Sequence, residues 1–203
     1  TKLNLILNGL RLSNHMRNMP EQSNKRLELR VIASGCRDSF SKLIAQEEYQ
    51  NLKSVVYLIH ITDKNHSPML LWDVMNKKDL FLTHTEIWEL IIQVWINTEN
   101  NNWGLNQEFW GNMLTRFPPI DSMRGDIPKE FTCYRGGYKG GFSFTLDKEK
   151  AIWFRDRWGA NPEHNLFERK TNRDDVLFYS DSREEKEVVI FPHKAKWDLV
   201  EIG

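Results

Sequence analysis

Two stretches in the last third of the chain carry side chains suited to chemistry: FTCYRGGYKGGFSFTLDKEKAIWF from Phe131 to Phe154, and SREEKEVVIFP from Ser182 to Pro192. The first sets Arg135 beside Gly136, Gly137, Gly140 and Gly141, followed by Ser143, Phe144 and Thr145. Arginine offers a planar fork of donors that fits a phosphate or an adjacent sugar hydroxyl. Glycines let the backbone approach a ligand and aim its amides inward. In a strand, Ser143 and Thr145 face one side and Phe144 the other, so a hydroxyl is available to orient an acid. The second stretch holds Glu185 and Glu187 before Val188-Val189-Ile190, and the two-residue period of a strand puts both on one face. A carboxylate there can stabilise positive charge on a sugar ring as a glycosidic bond breaks. Each feature also has a plainer reading: a glycine-turned hairpin with a solvated arginine, ordinary strand composition, and a charged turn in water.

These residues need strands to position them. Beyond Pro128 the pattern predicts strands at Phe131–Tyr134 and Phe142–Thr145, with a turn over Gly136–Gly141. Leu146-Asp147 leads into a helix whose apolar residues are Ala151, Trp153, Phe154 and Trp158. Further strands are predicted at Asn165–Lys170, Val176–Tyr179, Val188–Phe191 and Trp197–Ile202. Upstream the grammar is helical. A helix is expected over Asp38–Ile61, broken by TDKNHSPMLL from Thr62 to Leu71. His84–Asn97 has the strongest helical pattern, with a stripe of Ile87, Trp88, Ile91, Ile92, Trp95 and Ile96 read as core. Thr85 is expected to cap it and Asn100–Asn102 to end it. A short helix over Gln107–Thr115 turns Phe109, Trp110 and Leu114 inward, and Phe117–Pro128 is a proline-punctuated connection. The expectation is an α+β protein, with a mainly helical region 1–125 packed on, or part of, a split, mostly antiparallel sheet in 126–203.

Composition narrows the function classes. A chain of 203 residues can bury a proper core. Its 28 basic and 28 acidic residues cancel, so no global field draws it to nucleic acid or an anionic membrane. A local basic patch is still allowed, and Lys25, Arg26 and Arg30 form a modest one. Cys36 and Cys133 lack CxxC spacing, and His60, His66 and His84 lack ligand spacing, so no metal is expected. The same cysteine usage suggests a reduced, cytoplasmic setting. No apolar run approaches the roughly 20 residues that span a bilayer. The polar start is unlike a signal peptide, and the lack of an initiator Met suggests trimming. Eight tryptophans are many for this length and suit either a core or an interface.

Arg135 at a strand end, Ser143-Phe144-Thr145 on the next strand, and Glu185-Lys186-Glu187 before an apolar strand resemble, in that order, the arginine–serine–glutamate class of ADP-ribosyltransferases. The similarity covers roughly Phe131 to Ile202. Only seven residues separate Arg135 from Ser143, a shorter gap than many members have. A helix often found there is therefore absent or supplied from the N-terminal half. The resemblance implies NAD as co-substrate, bound through Arg135, Gly136, Gly137, Ser143, Phe144 and Thr145. Trp153 and Phe154 would line the nicotinamide pocket or pack in the core. It implies that Ser143 holds the catalytic Glu187, whose carboxylate stabilises the cationic ribose, and that Glu185 positions or deprotonates the acceptor. The acceptor is RNA or protein arginine. By analogy the chain resembles cytoplasmic toxins of toxin–antitoxin or anti-phage systems, with a neutralising antitoxin as partner and no membrane. The rival expectations are an NAD glycohydrolase, a non-enzymatic binding module built on the aromatic helical half, and a degenerate scaffold that no longer binds NAD.

Overall fold

Residues 52–62, 66–76, 82–98, 107–157, 159, 161–195 and 198–202 are described by the computed structural model. Cys36, the Lys25–Arg30 cluster and the predicted helical residues 38–51 lie outside them. The chain divides into two compact units, Thr1–Asp79 and Leu80–Gly203. The helices of 84–115 therefore fall in the same unit as the sheet, although the sequence pattern changes only near residue 125.

In the first unit, α1 (Leu52–Ile61) and α2 (Ser67–Asn76) pack on each other. They bury Val55, Leu58 and Ile59 on one helix, and Leu70, Leu71 and Val74 on the other. The predicted break over Thr62–Leu71 contains the start of α2. Pro68 is its second residue, in the first turn, where the missing N–H has no intrahelical partner to lose.

The second unit opens with α3 (His84–Asn97) and α4 (Gln107–Thr115), both at their predicted bounds. The cap of α3 is Thr83 rather than Thr85. The Thr83 hydroxyl accepts from the Glu86 N–H (3.3 Å), and the Glu86 carboxylate accepts from the Thr83 N–H (2.7 Å). This helix stops at Thr98, and Asn100–Asn102 lie outside the described residues. Its buried stripe is Trp88, Leu90, Ile91 and Val94, while Trp95 is only half-buried.

The strands are β1 (Glu130–Gly137), β2 (Ser143–Thr145), β3 (Asn165–Asn172), β4 (Val176–Ser180), β5 (Glu187–Ile190) and β6 (Val200–Glu201). Helix α5 (Lys148–Asp156) follows β2, with the Asp147 carboxylate accepting from two of its first amides, and α6 (Pro192–Ala195) follows β5. The fold is α+β: among the described residues, six helices accompany one six-stranded sheet in the order β4-β5-β2-β1-β3-β6. Every pairing is antiparallel. None of the described helices is long and apolar enough to cross a membrane.

The sheet is uneven at its middle. Strands β1 and β3 stay in register from Glu130↔Asn172 to Gly137↔Asn165, but β1 and β2 share only Tyr134↔Thr145. Beyond that pair the two strands diverge, leaving the sheet as two three-stranded halves joined at a narrow seam. Helix α5 presses on β1 at Gly136, where a Cβ would collide with the Ala151 carbonyl and the Arg155 amide. Only glycine fits that crossing.

Candidate active site

The seam leaves backbone groups that a longer ladder would have paired, and such groups need other partners. Arg135, the sixth residue of β1, supplies them. Its Nη1 donates to the Ser143 carbonyl of β2 (2.7 Å), and its Nε donates to the Tyr138 carbonyl in the turn after β1 (2.7 Å). Gly141 lies against the same guanidinium, and a Cβ there would overlap Cζ and Nη2. Burial is the main reason the Arg135 pKa falls from 12.5 to about 10, and the Glu187 charge opposes the fall. Arg135 therefore stays cationic at neutral pH.

Ser143 passes this arrangement to the next strand. Thr145 faces Glu187 across β2 and β5, and Ser143 lies two residues from Thr145 on the same face. The Ser143 hydroxyl donates to Glu187 Oε1 at 2.5 Å. A second donor reaches the same oxygen from α3: Trp95 Nε1–H, at 2.9 Å. Trp95 is held by edge-on contacts with Trp110 (4.8 Å) and Phe178 (6.2 Å). Each such pair is worth about 0.5–1.5 kcal/mol beyond area burial. Glu187 itself is only 5% exposed, and among the described residues Oε2 receives no hydrogen bond. Burial pushes its carboxyl above the ordinary carboxylate range. The Ser143 and Trp95 bonds and the Arg183 charge pull it back, while Glu185 adds to the rise. An acid so placed sits closer to neutrality than a surface glutamate.

Glu185 departs from the strand-face expectation. Strand β5 begins at Glu187, and Glu184 (φ 57°) and Lys186 (φ 45°) adopt the left-handed region on either side of Glu185. The strand period does not reach back to Glu185, whose direction is set by a strained turn. That turn is fastened at several points. Thr145 Oγ1 donates to the Glu185 carbonyl (2.6 Å), the Leu146 N–H to the Lys186 carbonyl (3.1 Å), and the Lys186 N–H to Asp181 Oδ1 (3.0 Å). The Glu185 carboxylate pairs with Arg183 Nη2 at 2.9 Å.

The remaining sequence-predicted residues divide. Thr145 is buried and uses its hydroxyl to anchor the turn and to accept from the Asp147 N–H (3.0 Å). Phe144 is 2% exposed and belongs to the core. Gly136 makes its close approach to α5, whereas the Cβ position of Gly137 (φ 118°) meets open space. Trp153, read as an apolar residue of α5, is 52% exposed, with Lys150 and Arg157 over its ring. Phe154 is half-buried beside it, at 5.0 Å between rings, and Trp158 lies outside the described residues. The residue that sequence reasoning missed is Trp95, absorbed into a core stripe. Its signal was the indole N–H, which needs an acceptor when buried. Nothing in the pattern named an acceptor 92 positions away.

The described residues hold no group of three or more His, Cys, Asp and Glu that could bind a metal ion. Comparisons with protein-family models, curated proteins and solved structures found no match to the chain. What the site offers chemically is one buried carboxylate with two donors on one oxygen, a guanidinium one strand away, and a second carboxylate on an adjoining turn.

Proposed function

We propose that the chain is a mono-ADP-ribosyltransferase that takes ADP-ribose from NAD and passes it to a macromolecular acceptor. The observation that carries this reading is the carboxylate of Glu187, nearly buried yet fixed through Oε1 by Ser143 and Trp95, with Oε2 left for a ligand. A carboxylate held this way needs no reorganisation as charge develops nearby, which is how preorganised electrostatics lower a barrier. Breaking the bond between nicotinamide and ribose places positive charge on the ribose, as in glycoside cleavage. Glu187 Oε2 binds the ribose 2′-hydroxyl and stabilises that cation more than the ground state. Arg135 keeps Nη2 beside Gly141, where the absent side chain leaves room for a phosphate oxygen. Glu185 takes the acceptor's proton as general base.

The test is isotopically labelled NAD incubated with protein and cell lysate, then digested separately with protease and nuclease. The reading expects macromolecular label that one digestion releases: protease for a protein acceptor, nuclease for RNA. Nicotinamide release with no labelled macromolecule would instead support an NAD glycohydrolase. Unaltered NAD would refute both.

A further inference from the structure

We infer that Arg183 is an internal acceptor, so that the site ADP-ribosylates its own turn. The inference rests on the transferase reading and deepens it by naming a guanidinium as a group the site accepts. Arg183 Nη2 lies 2.9 Å from Glu185 Oε2, so a guanidinium already occupies the general base. The Glu185 side chain is 16% exposed, which makes Arg183 the main access to its carboxylate from solvent. The Arg183 side chain is itself 39% exposed, and an ion pair so open to water is loosely held. Arg183 can therefore move without the fold moving. Its charge is also felt at Glu187, which places it within electrostatic reach of both carboxylates. The strained residues Glu184 and Lys186 and the Asp181 contacts to this turn hold that geometry.

The chemistry balances without a further reactant beyond NAD. The bond between ribose C1′ and the nicotinamide nitrogen breaks, and nicotinamide leaves neutral with the electron pair. An Arg183 Nη lone pair forms the new bond to C1′, and the Nη proton passes to Glu185. Once modified, Arg183 can no longer cover Glu185 in the same way, and its bulk stands at the acceptor side of the site.

The experiment incubates the full chain with NAD, measures nicotinamide by chromatography and maps adducts by mass spectrometry after trypsin. The expected result is the peptide Asp174–Lys186, uncleaved at Arg183 and carrying one ADP-ribose, absent from Arg183→Lys. Glu185→Gln should lower this adduct at least tenfold more than it lowers nicotinamide release, because water replaces the arginine. Mixing unlabelled Glu187→Gln with the wild-type chain should leave the variant's Arg183 unmodified, since transfer occurs within one site. Nicotinamide release with no adduct on Arg183, or an adduct on the variant's Arg183, overturns the inference and leaves the transferase reading standing. Without nicotinamide release both fall.

Discussion

Replacing Trp95 with Phe removes one of the two hydrogen bonds that fix Glu187 while keeping most of an aromatic ring against Trp110 and Phe178. A hydrogen bond to a charged group is worth about 1.5–3 kcal/mol. One pKa unit corresponds to about 1.36 kcal/mol, so losing this donor raises the Glu187 carboxyl by roughly 1–2 units. The direction follows from the site: burial already holds the carboxyl above its ordinary value, and the indole bond is one of the terms pulling it down. If Glu187 acts as the carboxylate, the acid limb of the pH–rate profile moves to higher pH by the same amount. Nicotinamide release would fall about tenfold per unit below that limb and recover above it. The assay is nicotinamide release from NAD at saturating substrate between pH 5 and 9, with circular dichroism to confirm folding. A folded Trp95→Phe protein whose acid limb stays in place would refute the argument that the indole tunes Glu187. Ser143→Ala should move the limb the same way. Because both donors meet on one oxygen, the double variant should differ from the sum of the singles.

Other perturbations follow from the same contacts. At neutral pH, Glu187→Gln should melt at the same temperature as wild type or higher, since the amide keeps an acceptor for Ser143 and Trp95 without a buried charge. The sign follows from the raised carboxyl: its contribution is stabilising below the unfolded-state pKa and lost as pH rises through the folded one. The melting difference should therefore shrink as pH falls, as calorimetry would show. Gly136→Ala should lower the urea midpoint by about 1–3 kcal/mol or more of stability, because the new Cβ meets the backbone of α5 and not a movable side chain. Arg135→Lys should weaken NAD binding in titration calorimetry, because an ammonium cannot bond the Tyr138 and Ser143 carbonyls and still present a planar fork. Cys133 should resist iodoacetamide at pH 8 in the folded protein, since burial pushes its thiol up to about 11.

Local chemistry was legible in the sequence and long-range chemistry was not. The bounds of α3 and α4 followed from apolar periodicity, and the Asp147 cap marked the start of α5. Most strands appeared close to their predicted places because their alternation is a property of adjacent residues. Ser67 and Pro68 misled because the same two residues that break a helix also begin one. Trp153 was read as apolar filling, but Ala151 is the α5 residue that meets β1. Glu185 and Glu187 looked like strand neighbours because no propensity predicts left-handed Glu184 and Lys186. The meeting of Ser143 with Glu187 depended on a register of β2 against β5, 44 positions apart, and the Trp95 contribution on a helix laid over them. Those are facts of packing, carried by no local pattern.

The most direct measurement is nicotinamide release from NAD by the wild-type chain and by Glu187→Gln, in parallel and with folding confirmed for both. Wild type should release nicotinamide, and the variant should do so roughly 10²–10³-fold more slowly, the scale of removing one preorganised transition-state contact. Equal rates in the two proteins, or no release by a folded wild-type chain, would contradict the role given to Glu187.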